Sequence, residues 1–362
     1  MKKFAFAAVA AAALVAGQAQ AQSNVTIFGV ADIGYLSTSV SGVKQQQITN
    51  DLNTSSRLGF RGAEDLGGGM KASFWFEAAM TPQNGSGGST STTNKDSVNS
   101  GGLTFARRST VELSGSFGEV RLGRDYTPTF TNLTVAHHPF GTNGLGNSGQ
   151  MYYPVAAGGT TPRTQVRASN GINYFSPNFS GVQVNLMYAT NNQPDNLGAV
   201  GDDGKYTGGR ISYGNGPLNV ALATGKTKYA TGDYTQSNFA ANYQMGPAKL
   251  MYLWGENKVG VTKTTSNMVG AQYQVSETGE IRGGFTMLKA SGFAATAGVG
   301  DATQAVIGYV HSLSKRTALF TNYSVLDNKG LGKQFVVGGG DKAALTAGGS
   351  SNGYEFGIRH SF

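Results

Sequence analysis

The chain of 362 residues contains no cysteine, and it contains only four histidines, His137, His138, His311 and His360. The missing thiols exclude a disulfide framework and a zinc site built from thiolates. The few histidines leave little material for a His-centred catalytic site. We therefore expect no enzyme activity, no cofactor and no metal.

The mature chain also lacks an apolar stretch long enough for a transmembrane helix, which needs about 20 such residues. The longest apolar run, Phe4 to Ala16, follows Lys2 and Lys3 and precedes Ala19-Gln20-Ala21. A basic start, a short apolar run and an A-x-A site together indicate a cleaved secretory signal peptide. We predict a signal peptide at 1–21 and one domain at 22–362, whose formal charge would be +8 − 2 = +6.

What the chain does contain is a period of two in apolar side chains, most clearly in its last nine residues. Tyr354, Phe356, Ile358, His360 and Phe362 alternate there with charged or small residues, which is typical of a strand with one apolar face. Chain ends usually fray into water, whereas the last strand of a closed membrane barrel can pair to its final residue. We predict that Phe362, with Tyr354, Phe356 and Ile358, is an assembly signal for the barrel-assembly machinery.

Similar alternating segments recur along the chain, separated in turn by short and long connections. The short turns are predicted at 62–69, 114–118, 176–181, 214–217, 246–247, 276–279 and 314–316. The long connections, rich in Gly, Ser, Thr and Asn, are predicted at 37–52, 81–102, 127–164, 191–205 and 328–350. Short periplasmic turns and long outer loops are typical of outer-membrane proteins. We therefore predict an all-β, antiparallel transmembrane β-barrel of about sixteen strands.

Acidic residues are absent from Tyr126 to Pro194, although the whole chain has 20. This segment includes the third long connection, where His137, His138 and Phe140 occur in a stretch without carboxylates. Because the charges that line a channel set its selectivity, such a loop would not repel anions. The two histidines could charge near pH 6.5, or they could be packed or solvated without a gating role.

Four arginines are predicted to face the lumen: Arg57, Arg61, Arg121 and Arg167. The argument is alternation, since Leu58 and Phe60, for example, suit lipid and turn the arginines beside them inwards. An arginine that faced lipid at mid-bilayer would cost about 2–4 kcal/mol. We predict that these arginines attract anions at a constriction. Each could instead be a solvated or salt-bridged wall residue without influence on flux.

Several segments of the chain resemble the Gram-negative general porin family, in its beta-proteobacterial and neisserial branch. They are Val25-Thr26-Ile27-Phe28-Gly29-Val30-Ala31-Asp32, Ser56-Arg57-Leu58-Gly59-Phe60-Arg61-Gly62-Ala63-Glu64-Asp65-Leu66-Gly67-Gly68-Gly69, Phe117-Gly118-Glu119-Val120-Arg121-Leu122-Gly123-Arg124-Asp125-Tyr126-Thr127-Pro128 and Gly357-Ile358-Arg359-His360-Ser361-Phe362. The resemblance implies a homotrimer of sixteen-stranded barrels. It also implies that the long third loop folds into each pore and that a ladder of arginines faces this loop.

These observations predict an outer-membrane porin, exported through the periplasm, for passive diffusion of small hydrophilic solutes and ions. A moderate preference for inorganic or organic anions is expected. Two alternatives stay open: a substrate-specific channel, and a surface barrel that acts mainly as an adhesin or receptor. Membrane lipid and lipopolysaccharide are expected partners, whereas scattered lysines without a basic run argue against nucleic acid.

Overall fold

The computed structural model describes residues 25–87, 102–134, 137–152, 164–191, 201–230, 232–291, 300–333 and 346–362. The predicted signal peptide, at 1–21, lies outside these ranges and stays a prediction. Among the described residues, no helix is long and apolar enough to cross a membrane.

Nearly all of the regular structure is antiparallel strand. The strands are β1 (Thr26–Val40), β2 (Val43–Asn50), β3 (Arg57–Gly67), β4 (Met70–Thr81), β5 (Ser86–Gly87), β6 (Arg108–Gly115), β7 (Gly118–Tyr126), β8 (Arg167–Phe175), β9 (Val182–Ala189), β10 (Tyr206–Asn215), β11 (Leu218–Thr227), β12 (Tyr234–Met245), β13 (Ala248–Val259), β14 (Thr262–Gln274), β15 (Gly279–Ser291), β16 (Ala302–Ser312), β17 (Thr317–Asn328) and β18 (Ser350–Ser361). Two short helical segments are α1 (Pro128–Thr131) and α2 (Gly149–Tyr152).

The strands form one closed barrel with sixteen positions around its circumference. Of the eighteen strands, β5 pairs with β4 alone, and β2 and β3 share one position because both pair with β1, so 18 − 2 = 16. The barrel closes where β1 pairs with β18. The predicted fold class and strand number are therefore confirmed.

The closure reaches the last residue of the chain. Gly29 and Phe362 exchange two backbone hydrogen bonds, of 3.0 and 3.1 Å. The Phe362 ring covers Gly29 so closely that a Cβ atom there would lie 2.3 Å from ring atom Cζ. On the outer surface, Tyr35 stacks on Phe356 with 5.3 Å between ring centroids. The predicted assembly role of the terminal aromatic residues stays a prediction.

Two connections differ from the sequence-based expectation. Instead of a turn over 62–69, β3 continues to Gly67, and the chain reverses over three consecutive glycines with φ of 78°, 61° and 79°. Glycine adopts these angles without steric cost, so the turn can be that short. The segment 37–52 was expected to be a loop, but it forms a hairpin of β1 and β2 around Ser41 and Gly42.

The segment between β7 and β8, here called the third loop, folds into the barrel. Three hydrogen bonds join it to distant strands: Asn132 Nδ2 to Asn238 Oδ1 (2.9 Å), Tyr152 Oη to the Leu253 carbonyl (2.9 Å) and Gln304 Nε2 to the Leu145 carbonyl (3.0 Å). These partners belong to β12, β13 and β16. The third loop therefore lines one side of the interior, as predicted.

Candidate pore constriction

Strands β3, β4, β6, β7 and β8 form the wall on the opposite side from the third loop. Register shows which of their side chains share the inner face, because Arg61 is opposite Trp75, Trp75 is opposite Thr110, and Thr110 is opposite Gly123. Directly paired residues project to the same side of a sheet. Arg57 lies four residues before Arg61 on β3, and because this spacing is even, alternation places it on the inner face as well.

One group of side chains on this wall, here called the Glu77 cluster, contains three arginines. Arg107 Nε lies 2.6 Å from Glu77 Oε1, and Arg57 Nη1 lies 3.5 Å from the same oxygen. Tyr126 Oη accepts hydrogen bonds from Arg107 Nη2 at 3.2 Å and from Arg167 Nη2 at 2.9 Å. The Arg167 guanidinium also stacks over the Tyr126 ring, at 4.5 Å from its centroid. Contacts shared in this way hold the three guanidinium groups close to one another.

The Glu77 cluster has an excess of positive charge. Arg57 and Arg107 contact the Glu77 carboxylate, and Arg167 binds Tyr126. Among the described residues, the one further carboxylate that interacts with Arg107 is Asp51. Arg57 is the most accessible cation of the cluster, because 24% of its side chain is exposed, against 9% for Arg107. The Arg57 Nε atom is buried and has no hydrogen-bond partner among the described residues. Arg57 is thus the member of the cluster that can meet an anion in the lumen.

A second group, here called the Glu112 cluster, is electrically balanced. Its cations are Arg61, Arg108 and Arg121, and its carboxylates are Glu112, Glu119 and Asp125. Arg108 pairs with Glu112, and Arg121 pairs with Glu119 and, through Nη1 at 2.9 Å, with Asp125. Three positive and three negative groups together leave little net field for a passing anion.

Arg61 stands apart within the Glu112 cluster because it makes no ion pair among the described residues. Its guanidinium lies 5.2 Å from the ring centroids of both Phe28 and Trp75. The Arg108 guanidinium also stacks on the Trp75 ring, at 4.6 Å from its centroid. Such stacking fixes a cation without neutralising it.

The four arginines predicted from alternation therefore separate into two environments. Arg57 and Arg167 belong to the Glu77 cluster, whereas Arg61 and Arg121 belong to the Glu112 cluster. Sequence reasoning missed Glu77, which the same alternation could have placed inwards from its neighbours on β4. That these arginines set ion selectivity stays a prediction.

His137 of the third loop contacts the barrel wall, whereas His138 packs within the loop. Both rings are buried; His137 Nε2 lies 2.9 Å from Asn219 Oδ1, and His138 Nε2 lies 2.5 Å from Ser148 Oγ. Burial lowers the pKa of each histidine to about 4. They are therefore neutral at neutral pH, which favours the packed alternative over a source of positive charge.

Phe140, the third residue predicted on this loop, is also buried. Its ring fills the space over Gly308, where a Cβ atom would lie 2.8 Å from ring atom Cε1. The loop thus uses His137 and Phe140 for attachment to the wall, and His138 joins two parts of the loop through Ser148. Their predicted contribution to the constriction would be positioning of the loop rather than direct contact with solute.

Two carboxylates on the inner face are buried and accept hydrogen bonds from backbone amides. Glu355 accepts hydrogen bonds from the Leu145 amide, at 3.1 and 3.0 Å, and from Asn322 Nδ2 at 2.6 Å. Asp32 accepts from three successive backbone amides of the segment 52–54, at 2.8–3.1 Å. Glu355 therefore fixes the third loop, and Asp32 fixes the segment that joins β2 to β3.

Comparisons with known proteins agree with this architecture. Residues 7–331 match the family described as Gram-negative porin. The chain is 38% identical to Outer membrane porin protein 32 of Delftia acidovorans, over 98% of this chain and 99% of that protein. It is 29% identical to an outer membrane porin protein of Bordetella pertussis, over 91% and 95% of the two chains. Among solved structures, an anion-selective porin from Comamonas acidovorans is similar, with a TM-score of 0.76 and 35% identity, over 94% of this chain and all of that chain.

Proposed function

The chain belongs to the Gram-negative porin family of outer-membrane channels, and from that premise we propose that it passes small hydrophilic solutes by passive diffusion with a moderate preference for anions. In this proposal, anions pass between the third loop and the Glu77 cluster. Arg57 is the main attracting residue, and Arg107 and Arg167 add to the positive potential.

The observation that carries the proposal is the charge balance of the Glu77 cluster, where Arg57 and Arg107 share the Glu77 carboxylate and Arg167 adjoins Arg107 through Tyr126. Coulomb's law gives an anion about 5 Å from one unpaired guanidinium a gain of roughly 1–3 kcal/mol, for effective dielectric constants between those of water and a protein surface. An attraction of this size favours entry of anions and still permits release, as conduction requires. The similar structure from Comamonas acidovorans bears the name anion-selective porin, which supports the same preference here.

The reversal potential of the purified protein in a planar bilayer, under a gradient of KCl, tests the proposal. We expect a potential of anionic sign that becomes smaller in Arg57→Gln. Arg316→Gln, at an exposed position of the turn between β16 and β17, is the matched control and should leave the potential unchanged. Conductance with no selectivity or with cation selectivity would refute the anion preference, and absence of conductance would favour an adhesin or receptor barrel.

We also propose that the protein is a homotrimer that contacts membrane lipid and lipopolysaccharide and is inserted by the barrel-assembly machinery. On the outer face of β3 and β4, a group of aromatic rings offers an apolar contact surface, with centroids of Phe76 and Phe105 at 5.4 Å and of Phe60 and Phe105 at 6.1 Å. Chemical cross-linking of the protein in native membranes would detect the trimer. A single monomer band would contradict it.

A further inference from the structure

Two arginines on the strands that support the third loop, Arg282 of β15 and Arg359 of β18, have no place in the proposal above. Arg359 lies between Ile358, which is exposed on the outer surface, and His360, so alternation turns it inwards. Arg282 is opposite Gln272, whose side chain donates a 3.1 Å hydrogen bond to the Pro139 carbonyl of the third loop. Both arginines therefore face the interior.

Both arginines also lie between the third loop and the short-turn end of the barrel. The loop contacts β15 near Gly284, and Arg282 is two residues closer to the turn that precedes β15. The loop contacts β18 at Glu355, and Arg359 is four residues closer to the chain end. Since the short turns of outer-membrane barrels are periplasmic, the two arginines lie on the periplasmic side of the loop.

A chain of contacts brings the two arginines to one corner of the interior. Arg282 Nη1 lies 3.3 Å from Asn53 Oδ1. The Asn53 amide donates a 3.1 Å hydrogen bond to Asp32, and Asp32 is the register partner of Arg359. Asp32 and Asn53 thus lie between the Arg282 and Arg359 side chains.

Asp32 attracts Arg359 electrostatically but forms no ion pair with it among the described residues. The Asp32 oxygens already accept three backbone hydrogen bonds, and Arg359 makes no ion pair among the described residues. Its Nε atom is buried without a hydrogen-bond partner. Arg282 uses its Nε atom for Glu280, at 2.5 Å, so within the described part of the chain the rest of its guanidinium has only the long bond to Asn53. Guanidinium groups with unused donors suit the two-pronged binding of oxyanions.

We propose that Arg282 and Arg359 together bind one small oxyanion, such as inorganic phosphate or a carboxylate, on the periplasmic side of the third loop. The inference rests on the proposed function, because the anion reaches this site through the same channel. It adds a second binding site close to the Glu77 cluster, since β1 alone lies between Arg57 of β3 and Arg359 of β18.

The test is inhibition of the chloride current by inorganic phosphate in a planar bilayer, for the full-length protein. We expect Arg359→Gln and Arg282→Gln each to raise the half-inhibiting phosphate concentration about three- to tenfold, because removal of either guanidinium already breaks the joint, two-pronged contact with the anion. Arg316→Gln, in the exposed turn between β16 and β17, is the control and should behave as wild type. Unheated gel migration and unitary conductance in KCl show whether each variant is folded, and Arg359→Lys provides a second variant that keeps the charge.

The double variant distinguishes a shared site from a general electrostatic effect. If one anion is held by both residues, the double variant should lose little more than either single variant, since the interaction is already lost. Effects that multiply, or variants that match wild type, would overturn the shared site. A wild-type channel without Arg57-dependent anion preference would instead refute the proposed function, so the two failures are distinguishable.

Discussion

Glu77→Gln provides the sharpest test of the charge argument, because it should increase the anion preference rather than reduce it. Glu77 is the carboxylate that Arg57 and Arg107 contact, so its replacement by the isosteric amide raises the net charge of the cluster by about one. Glutamine keeps an oxygen for the 2.6 Å contact with Arg107 Nε. An anion at about 8 Å from the added charge would gain roughly 0.5–2 kcal/mol for effective dielectric constants between 80 and 20. The occupancy of that position by an anion should rise about two- to thirtyfold, and the anion-to-cation permeability ratio should rise with it.

The assay is the reversal potential in KCl gradients centred at 0.1 M and at 1 M. The increase should shrink at 1 M, where the Debye length falls to about 3 Å from about 10 Å. Glu256→Gln is the matched control: it removes a carboxylate that pairs with Lys263 on the other face of the sheet. If Glu77→Gln left the permeability ratio unchanged, or changed it no more than Glu256→Gln, the Glu77 cluster would not be the source of selectivity.

Three further outcomes follow from the same contacts. Gly29→Ala places a Cβ atom against the Phe362 ring and should destabilise barrel closure by about 1–3 kcal/mol, seen as a smaller fraction of heat-resistant folded protein; Gly283→Ala, where the nearest atom is 4.0 Å away, should be tolerated. Glu355→Gln weakens the acceptor of the Leu145 amide and should increase open-channel current noise as the third loop loosens; unchanged noise would argue against this anchor. The two loop histidines, with pKa values lowered to about 4, should leave selectivity constant from pH 8 to pH 6. Because they are neutral when packed, their contribution to loop stability is complete above pH 6.5 and declines as the pH falls towards 4, so acid should increase loop mobility.

Sequence alternation predicted the strands and the direction of side chains, because a period of two has the same meaning in every strand of a barrel. It placed Tyr354 and Phe356 outwards and Arg57 inwards from their immediate neighbours. It could not predict that Glu77 meets both Arg57 and Arg107, since those contacts depend on which strands adjoin and in what register. The third loop has no such period, so the burial of its histidines had no signal in the sequence.

The described part of the third loop, residues 127–134, 137–152 and 164–166, contains no Lys, Arg, Asp or Glu and so cannot by itself attract anions. Its two histidines are buried and neutral, and the Leu145 amide is used by Glu355. The described part of the loop therefore does not repel anions, and among the described residues the attraction comes from cations on the barrel wall. On that wall the number of arginines is a poor guide, since Arg121 is neutralised by its carboxylate partners. Selectivity depends instead on the local excess of guanidinium groups over carboxylates. This excess is greatest around Arg57, whose side chain is partly exposed to the interior.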